Sequence, residues 1–256
     1  MIPQKINALY FSPTGNTKSV VKSMISGFNV QWDEIDLTPY ENRDTVYSFD
    51  ADELVFVGTP VYGGHIPIVA ENRIKLLKGN NTPIVLVVTY GGIHYSNALY
   101  ELQQIVSPNG FTTIGAAAVV AEHNVVGKIA SGRPNIQELT AISAFSNRVF
   151  SKTLQTNNLK NVFIKRNMPI SLRNKYPAVP YGNKKCINCG VCAKQCPVKA
   201  IDNPRKKAYQ ACIRCMRCIK YCPRNARTFS KMIMVGVRLL LSFTSRSVEN
   251  QPAFFL

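Results

Sequence analysis

Over the first 157 residues the apolar positions follow two rhythms, and beyond them both are lost. Unbroken apolar runs at 5–11, 53–58 and 83–88 are bounded by turn-forming residues, the pattern of strands buried on both faces. Elsewhere the apolar residues return every three or four positions. Val20, Val21, Met24, Ile25 and Phe28 line one face of a helix over 17–28, and helices are predicted over 67–78, 96–106 and 134–156. Pro134 suits the first turn of the last of these. The polar run 30–37 reads as a strand near a sheet edge. The segment 111–122, with Gly115 and Ala116 to Ala118 small enough for close packing, reads as a fifth strand. Strands alternating with helices predict an α/β domain over 1–157, built on a parallel sheet.

Beyond that domain the pattern divides the chain three ways: a basic, proline-bearing connector at 158–182, a cysteine-dense module at 183–228, and an apolar helix with a tail at 229–256. Val162, Phe163, Ile164 and Tyr176 give the connector apolar anchors, so it is expected to lie against the α/β domain. The apolar run 232–243 carries Arg238 at its centre and is far shorter than the ~20 residues a membrane span needs. A helix docked on the α/β domain is expected there, with Pro252 to Leu256 tucked into the same contact. Membrane-surface contact is the alternative.

Composition changes this picture in one respect. Hydrophobic residues make up 46% of the chain, as in ordinary globular proteins, but the net charge is +17. Residues 1–150 hold ten Lys and Arg against twelve Asp and Glu, whereas residues 151–256 hold twenty-one against two. The excess positive charge therefore belongs to the cysteine half. Its basic stretches interleave few aromatic residues beyond Tyr209 and Tyr221, so nucleic acid is not the expected partner. Acidic redox proteins, ferredoxin-like or flavodoxin-like, or larger oxidoreductases are.

All eight cysteines belong to one internal repeat. Cys186, Cys189, Cys192 and Cys196-Pro197 recur 26 residues later as Cys212, Cys215, Cys218 and Cys222-Pro223, and Ile187 and Ala200 recur as Ile213 and Ala226. Soft thiolates at this spacing suit two [4Fe–4S] clusters. The short gaps wrap one loop around three corners, and the longer gap carries the fourth thiolate to the other cluster. The expected ligand sets are Cys186, Cys189, Cys192 with Cys222, and Cys212, Cys215, Cys218 with Cys196. Zinc would ask for two separated pairs per ion. A disulfide framework would ask for an oxidising compartment, and Met1 to Lys5 show no apolar leader pattern, so a reducing cytoplasm is expected. The module resembles a bacterial two-cluster ferredoxin, and its clusters are expected to serve as its core.

Ser12-Pro13-Thr14-Gly15-Asn16-Thr17 joins the first strand to the first helix. Hydroxyls, free amides and a helix dipole there suit a phosphate. The loop lacks Gly-Lys-Ser/Thr and G-x-G-x-x-G, so it is neither a Walker loop nor a dinucleotide fingerprint. Two further loops follow core strands, and each combines tyrosine with a glycine pair: Pro60-Val61-Tyr62-Gly63-Gly64-His65 and Tyr90-Gly91-Gly92-Ile93-His94-Tyr95. Ligands of open parallel sheets sit at such carboxyl ends.

These three loops resemble those of flavodoxins, and the whole chain resembles the fused flavodoxin–ferredoxin ("ferrodoxin") proteins of anaerobic bacteria. The resemblance implies a five-stranded parallel sheet of order 2-1-3-4-5 and FMN as cofactor. Ser12, Thr14, Gly15, Asn16 and Thr17 would hold the FMN phosphate. Pro60, Val61, Tyr62, Gly63 and Gly64, with Tyr90, Gly91, Gly92 and Tyr95, would flank the ring, Tyr62 and Tyr95 being the candidates to stack on it. His65 and His94 read as ordinary loop histidines, with a place at the ring's edge as the alternative. The implied function is electron transfer between FMN and two [4Fe–4S] clusters. The rival is a flavoenzyme that reduces a small substrate with the clusters as its electron supply.

Overall fold

The computed structural model of the protein describes residues 3–155, 159–166, 179–245 and 251–256. The first domain comprises β1 (Lys5–Tyr10), α1 (Asn16–Ile25), β2 (Trp32–Asp36), β3 (Tyr47–Phe49), β4 (Glu53–Pro60), α2 (Ile68–Ile74), β5 (Leu77–Gly79), β6 (Thr82–Tyr90), α3 (Ala98–Val106), β7 (Phe111–Val120) and α4 (Ile136–Gln155). Then follow β8 (Tyr181–Gly182), α5 (Val191–Lys194), α6 (Arg217–Lys220), β9 (Arg227–Thr228), α7 (Lys231–Ser245) and β10 (Ala253–Phe255). The main sheet runs β10-β7-β6-β4-β1-β2. Its strands β2, β1, β4, β6 and β7 are all parallel. Counted among themselves they have the order 2-1-3-4-5 of the flavodoxin-like fold.

The unbroken apolar runs are explained by burial on both faces. Ile84, Leu86, Val88 and Tyr90 of β6 enter one apolar layer and Val85 and Val87 the other. The order reverses between β1 and β4, so the crevice for a ligand opens at their carboxyl ends.

The structure departs from the sequence expectations at four places. The helix expected over 67–78 ends at Ile74, and Leu77, drawn fully into the core, starts a short strand parallel to β3. Helical and short-strand spacing coincide over so few residues. The helix expected from Pro134 begins at Ile136. Asn135 and Glu138 cap each other there: the Glu138 amide donates to Asn135 Oδ1 (3.0 Å) and the Asn135 amide to Glu138 Oε2 (2.7 Å).

The tail does not join a helix contact. It adds β10 as a sixth, antiparallel strand beside β7, with Phe254 stacked on Phe145 at 4.9 Å. The apolar helix forms as α7, but its described apolar side chains are largely exposed instead of packed on the α/β domain. Met232 is 85%, Val235 56% and Leu239 58% exposed. No helix among the described residues is long and apolar enough to cross a membrane.

The connector lies against the α/β domain where it is described. The Val162 amide donates to the Thr113 carbonyl (2.8 Å), Asn161 Oδ1 accepts from the Thr113 amide (2.8 Å), and Ile164 enters the core. Of its expected anchors, Phe163 instead points into solvent, 83% exposed, and Tyr176 falls outside the described residues.

The cysteine module repeats itself in backbone as well as in sequence. Its helices α5 and α6 start 26 positions apart, at 191 and 217. Left-handed backbone at Asn188, Gly190 and Lys199 recurs 26 positions on, at Arg214, Met216 and Asn225. A two-stranded antiparallel ribbon of β8 and β9 closes the module.

Candidate functional site: the carboxyl edge of the sheet and the cysteine loops

α1 begins as an anion site requires. Gly15 precedes it with φ +89° and brings no side chain of its own to cap it, and its first turn holds no acidic residue to repel an anion. Ser12 and Thr14 are buried in this loop. Thr14 Oγ1 donates to Asn124 Oδ1 (2.8 Å) and Asn16 Nδ2 to the Glu122 carbonyl (3.0 Å). Ser12 Oγ accepts from the Lys18 amide (3.0 Å). Thr17 differs from its neighbours: its hydroxyl is buried against that of Thr89 (2.7 Å), so it offers the loop an amide only.

The second loop leaves β4 and makes a tight turn. The Tyr62 amide donates to the His65 carbonyl (2.8 Å) across Gly63 and Gly64, whose φ values of +61° and +85° match a type I′ turn. Two glycines are what such a turn asks for. A Cβ on Gly64 would stand 2.8 Å from Ser96 Oγ, so the second and third loops are in close contact. His65 Nδ1 and the Ile66 amide both meet the Glu101 carboxylate (2.5 and 3.1 Å).

In the third loop Tyr95 tilts against Tyr90, ring centroids 5.5 Å apart. Tyr90 itself is buried, its hydroxyl directed at the Gln251 carbonyl (3.3 Å), so it backs Tyr95 instead of lining the crevice. His94 Nδ1 pairs with Ser96 Oγ at 2.6 Å, and burial holds its pKa below the ordinary histidine value. The second and third loops meet at Gly64 and Ser96, and Thr17 and Tyr90 turn inward.

A fourth loop, after β7, was not singled out from the sequence. Glu122 and Asn124 buttress the phosphate loop, and His123 packs on Gly91 while its Nδ1 accepts from the Val125 and Val126 amides (3.2 Å each). Its position after a core strand was the available signal.

All eight cysteines are unpaired thiols. One cavity is lined by Cys186, Cys189, Cys192 and Cys222, the first expected ligand set. Among the described residues no three His, Cys, Asp or Glu side chains are placed to hold a single metal ion. A cubane differs from a single ion in spreading its thiolates around a larger body. Burial pushes Cys215 up to about 12 and Cys218 up to about 11, and raises Cys192 and Cys212. Such thiols give up their protons when a metal centre takes their place. Burial also opposes ionisation of Cys222, but amides of Ala226, Arg224 and Arg227 outweigh it and lower that thiol. The repeat holds here too: the Ala200 amide donates to Cys196 Sγ (3.3 Å) and the Ala226 amide to Cys222 Sγ (3.2 Å). Buried Arg227, bonded to the carbonyls of Pro180, Pro204 and Lys206, sets its positive charge beside both groups of cysteines.

The cysteine module sits on the loop edge of the sheet. Arg217 donates to the Pro13 carbonyl (2.9 Å) and Lys220 Nζ to the Thr14 carbonyl (2.6 Å). A Cβ on Gly15 would lie 3.8 Å from the Tyr221 hydroxyl. Buried Arg73 reaches the carbonyls of Leu37, Thr38 (2.8 Å) and Pro197 (2.7 Å), and Lys199 Nζ lies 4.2 Å from the Tyr40 ring centre. Sequence reasoning missed these contacts, because residues 73 and 217 carry no common motif.

Comparison with known proteins fits this arrangement. A family model described as 4Fe-4S binding domain matches residues 179–202 and 208–228. No curated protein matches the chain. Among solved structures, the chain is similar to a flavodoxin from the domain Archaea (14% identity, 59% of this chain and 99% of that one, TM-score 0.40). It is also similar to a Streptococcus pneumonia TIGR4 flavodoxin (14%, 58% and 99%, 0.42) and to oxidised Flavodoxin 2 from Bacillus cereus (13%, 58% and 99%, 0.41). The strand order, not these likenesses, carries the fold assignment. By that order and by its cysteines, the chain joins a flavodoxin-like α/β domain to a 4Fe-4S binding domain.

Proposed function

We propose that this is an electron-transfer protein carrying FMN at the loop edge of the sheet and two [4Fe–4S] clusters in the cysteine module. One observation carries the proposal: the cysteine module is fastened to the phosphate loop through Arg217 and Lys220, on either side of Cys218. FMN, when bound, exchanges one or two electrons, and a cubane exchanges one. The start of α1 without an acidic residue and the buried Ser12 and Thr14 fit a terminal phosphate, and Tyr62 and Tyr95 stand in the neighbouring loops to serve the ring. Holding the centres in one chain replaces diffusional encounter by a fixed, high effective concentration.

The partner is an acidic redox protein. Lys184, Lys185, Arg205 and Arg224 are exposed around the first cysteine loop, and charges of this kind mainly accelerate docking. Free thiols throughout suit a reducing cytoplasm.

Protein purified without air, then analysed for iron, sulfide and flavin, tests the reading. About eight iron, about eight sulfide and one FMN per chain are expected. Metal without flavin, or no absorbance near 400 nm, overturns it. Association with a small acidic ferredoxin should slow as salt rises; a salt-independent rate removes the docking assignment.

A further inference from the structure

The two cysteine loops are near copies in sequence, yet the fold gives them opposite surroundings. Ile187 and Ile213 occupy the same position of the repeat. Ile187 is 59% exposed, while Ile213 packs against the core of the α/β domain. Cys189 is exposed, and its counterpart Cys215 is 8% exposed. Segments that carry the second ligand set are fastened to the loop edge. Pro197, next to Cys196, accepts from Arg73, and Arg217 and Lys220, on either side of Cys218, bond the phosphate-loop carbonyls. Tyr62, in the loop after β4, has its hydroxyl buried without a hydrogen-bond partner, within electrostatic reach of the Cys215 thiol. The first set lines a cavity whose rim includes Ile187, Cys189 and Arg224, all exposed.

From this asymmetry we infer that the clusters are ordered in series. The one held by Cys212, Cys215, Cys218 and Cys196 is the inner relay against the flavin loops. The one held by Cys186, Cys189, Cys192 and Cys222 is the outer port, where a one-electron iron–sulfur partner docks. The inference rests on the proposed function. Per passage, the partner loses one electron and the flavin gains one, with each cluster returned to its starting state. Two passages and two protons from water complete the flavin's reduction, and the same route serves the reverse flow. Ile187, exposed between two ligands and ringed by Lys184, Lys185 and Arg224, is the apolar centre of the docking face.

The order is tested on the full chain by redox titration followed by EPR, before and after reversible removal of FMN. Removing the flavin is expected to shift one cluster's midpoint potential and leave the other's in place. Ile187→Glu sets a negative charge beside the outer cluster at an exposed position, where it does not endanger folding. It is expected to lower only the potential that flavin removal leaves unmoved. Cys189→Ala, which strips one ligand from the outer cluster, should change the EPR signal of that same cluster. If either variant acts on the flavin-sensitive cluster, or if flavin removal shifts both potentials equally, the order is overturned. A preparation with clusters and no flavin overturns the proposed function and the series with it. A preparation holding all three cofactors but failing the Ile187→Glu test overturns the series alone.

Discussion

In the α/β domain, alternate residues of β6 fill two apolar layers that enclose the sheet, with side chains such as Phe11, Phe56, Leu86 and Ile142 fully buried. The cysteine module's own buried cluster consists of Cys192, Cys196, Ala200, Ile201 and Ala208. One half is held by hydrocarbon, the other by thiols around cofactor space. The first shape follows from burial alone, whereas so small a core would rely on bound metal for the second.

The comparison can be broken most directly by stripping the iron with a chelator after oxidation. Residues 183–228 should then become sensitive to protease while the sheet keeps its circular dichroism. A module that stays resistant, or a sheet that melts with it, removes the distinction. Next in size is the fastening between the halves. Arg73→Ala deletes bonds to three carbonyls, one of them Pro197, and should cost roughly 2–3 kcal/mol in urea unfolding of the holoprotein. A cost below ~0.5 kcal/mol would mean the halves do not depend on it. Smallest is Tyr62→Phe, which removes a buried hydroxyl without a partner and should be neutral or stabilising by up to ~1 kcal/mol. A destabilisation of that size would show that the hydroxyl gains a partner once cofactors are in place.

The same contrast explains what could be read in advance. Strands β1, β4 and β6 were legible because burial on both faces leaves an unbroken apolar run, and the cysteine repeat because metal ligands tolerate few spacings. β10 was not, since three residues of edge strand carry no period. The left-handed positions Lys199, Arg214, Met216 and Asn225 were not either, because none is glycine; only their recurrence at 26 residues marks them. The seating of α6 on the phosphate loop depends on Arg217 and Lys220 meeting main-chain carbonyls, a contact with no side-chain signature on the receiving side.

Strand β7 has a further role. Asn161 and Val162 bond to its Thr113, and Ala253 to Phe255 pair with its Ala116 to Ala118. The stretch of chain bearing the cysteines thus leaves from and returns to one strand, like a rope bridge with both moorings on the same bank. Cutting either mooring would leave Arg73, Arg217 and Lys220 to hold the module on the sheet.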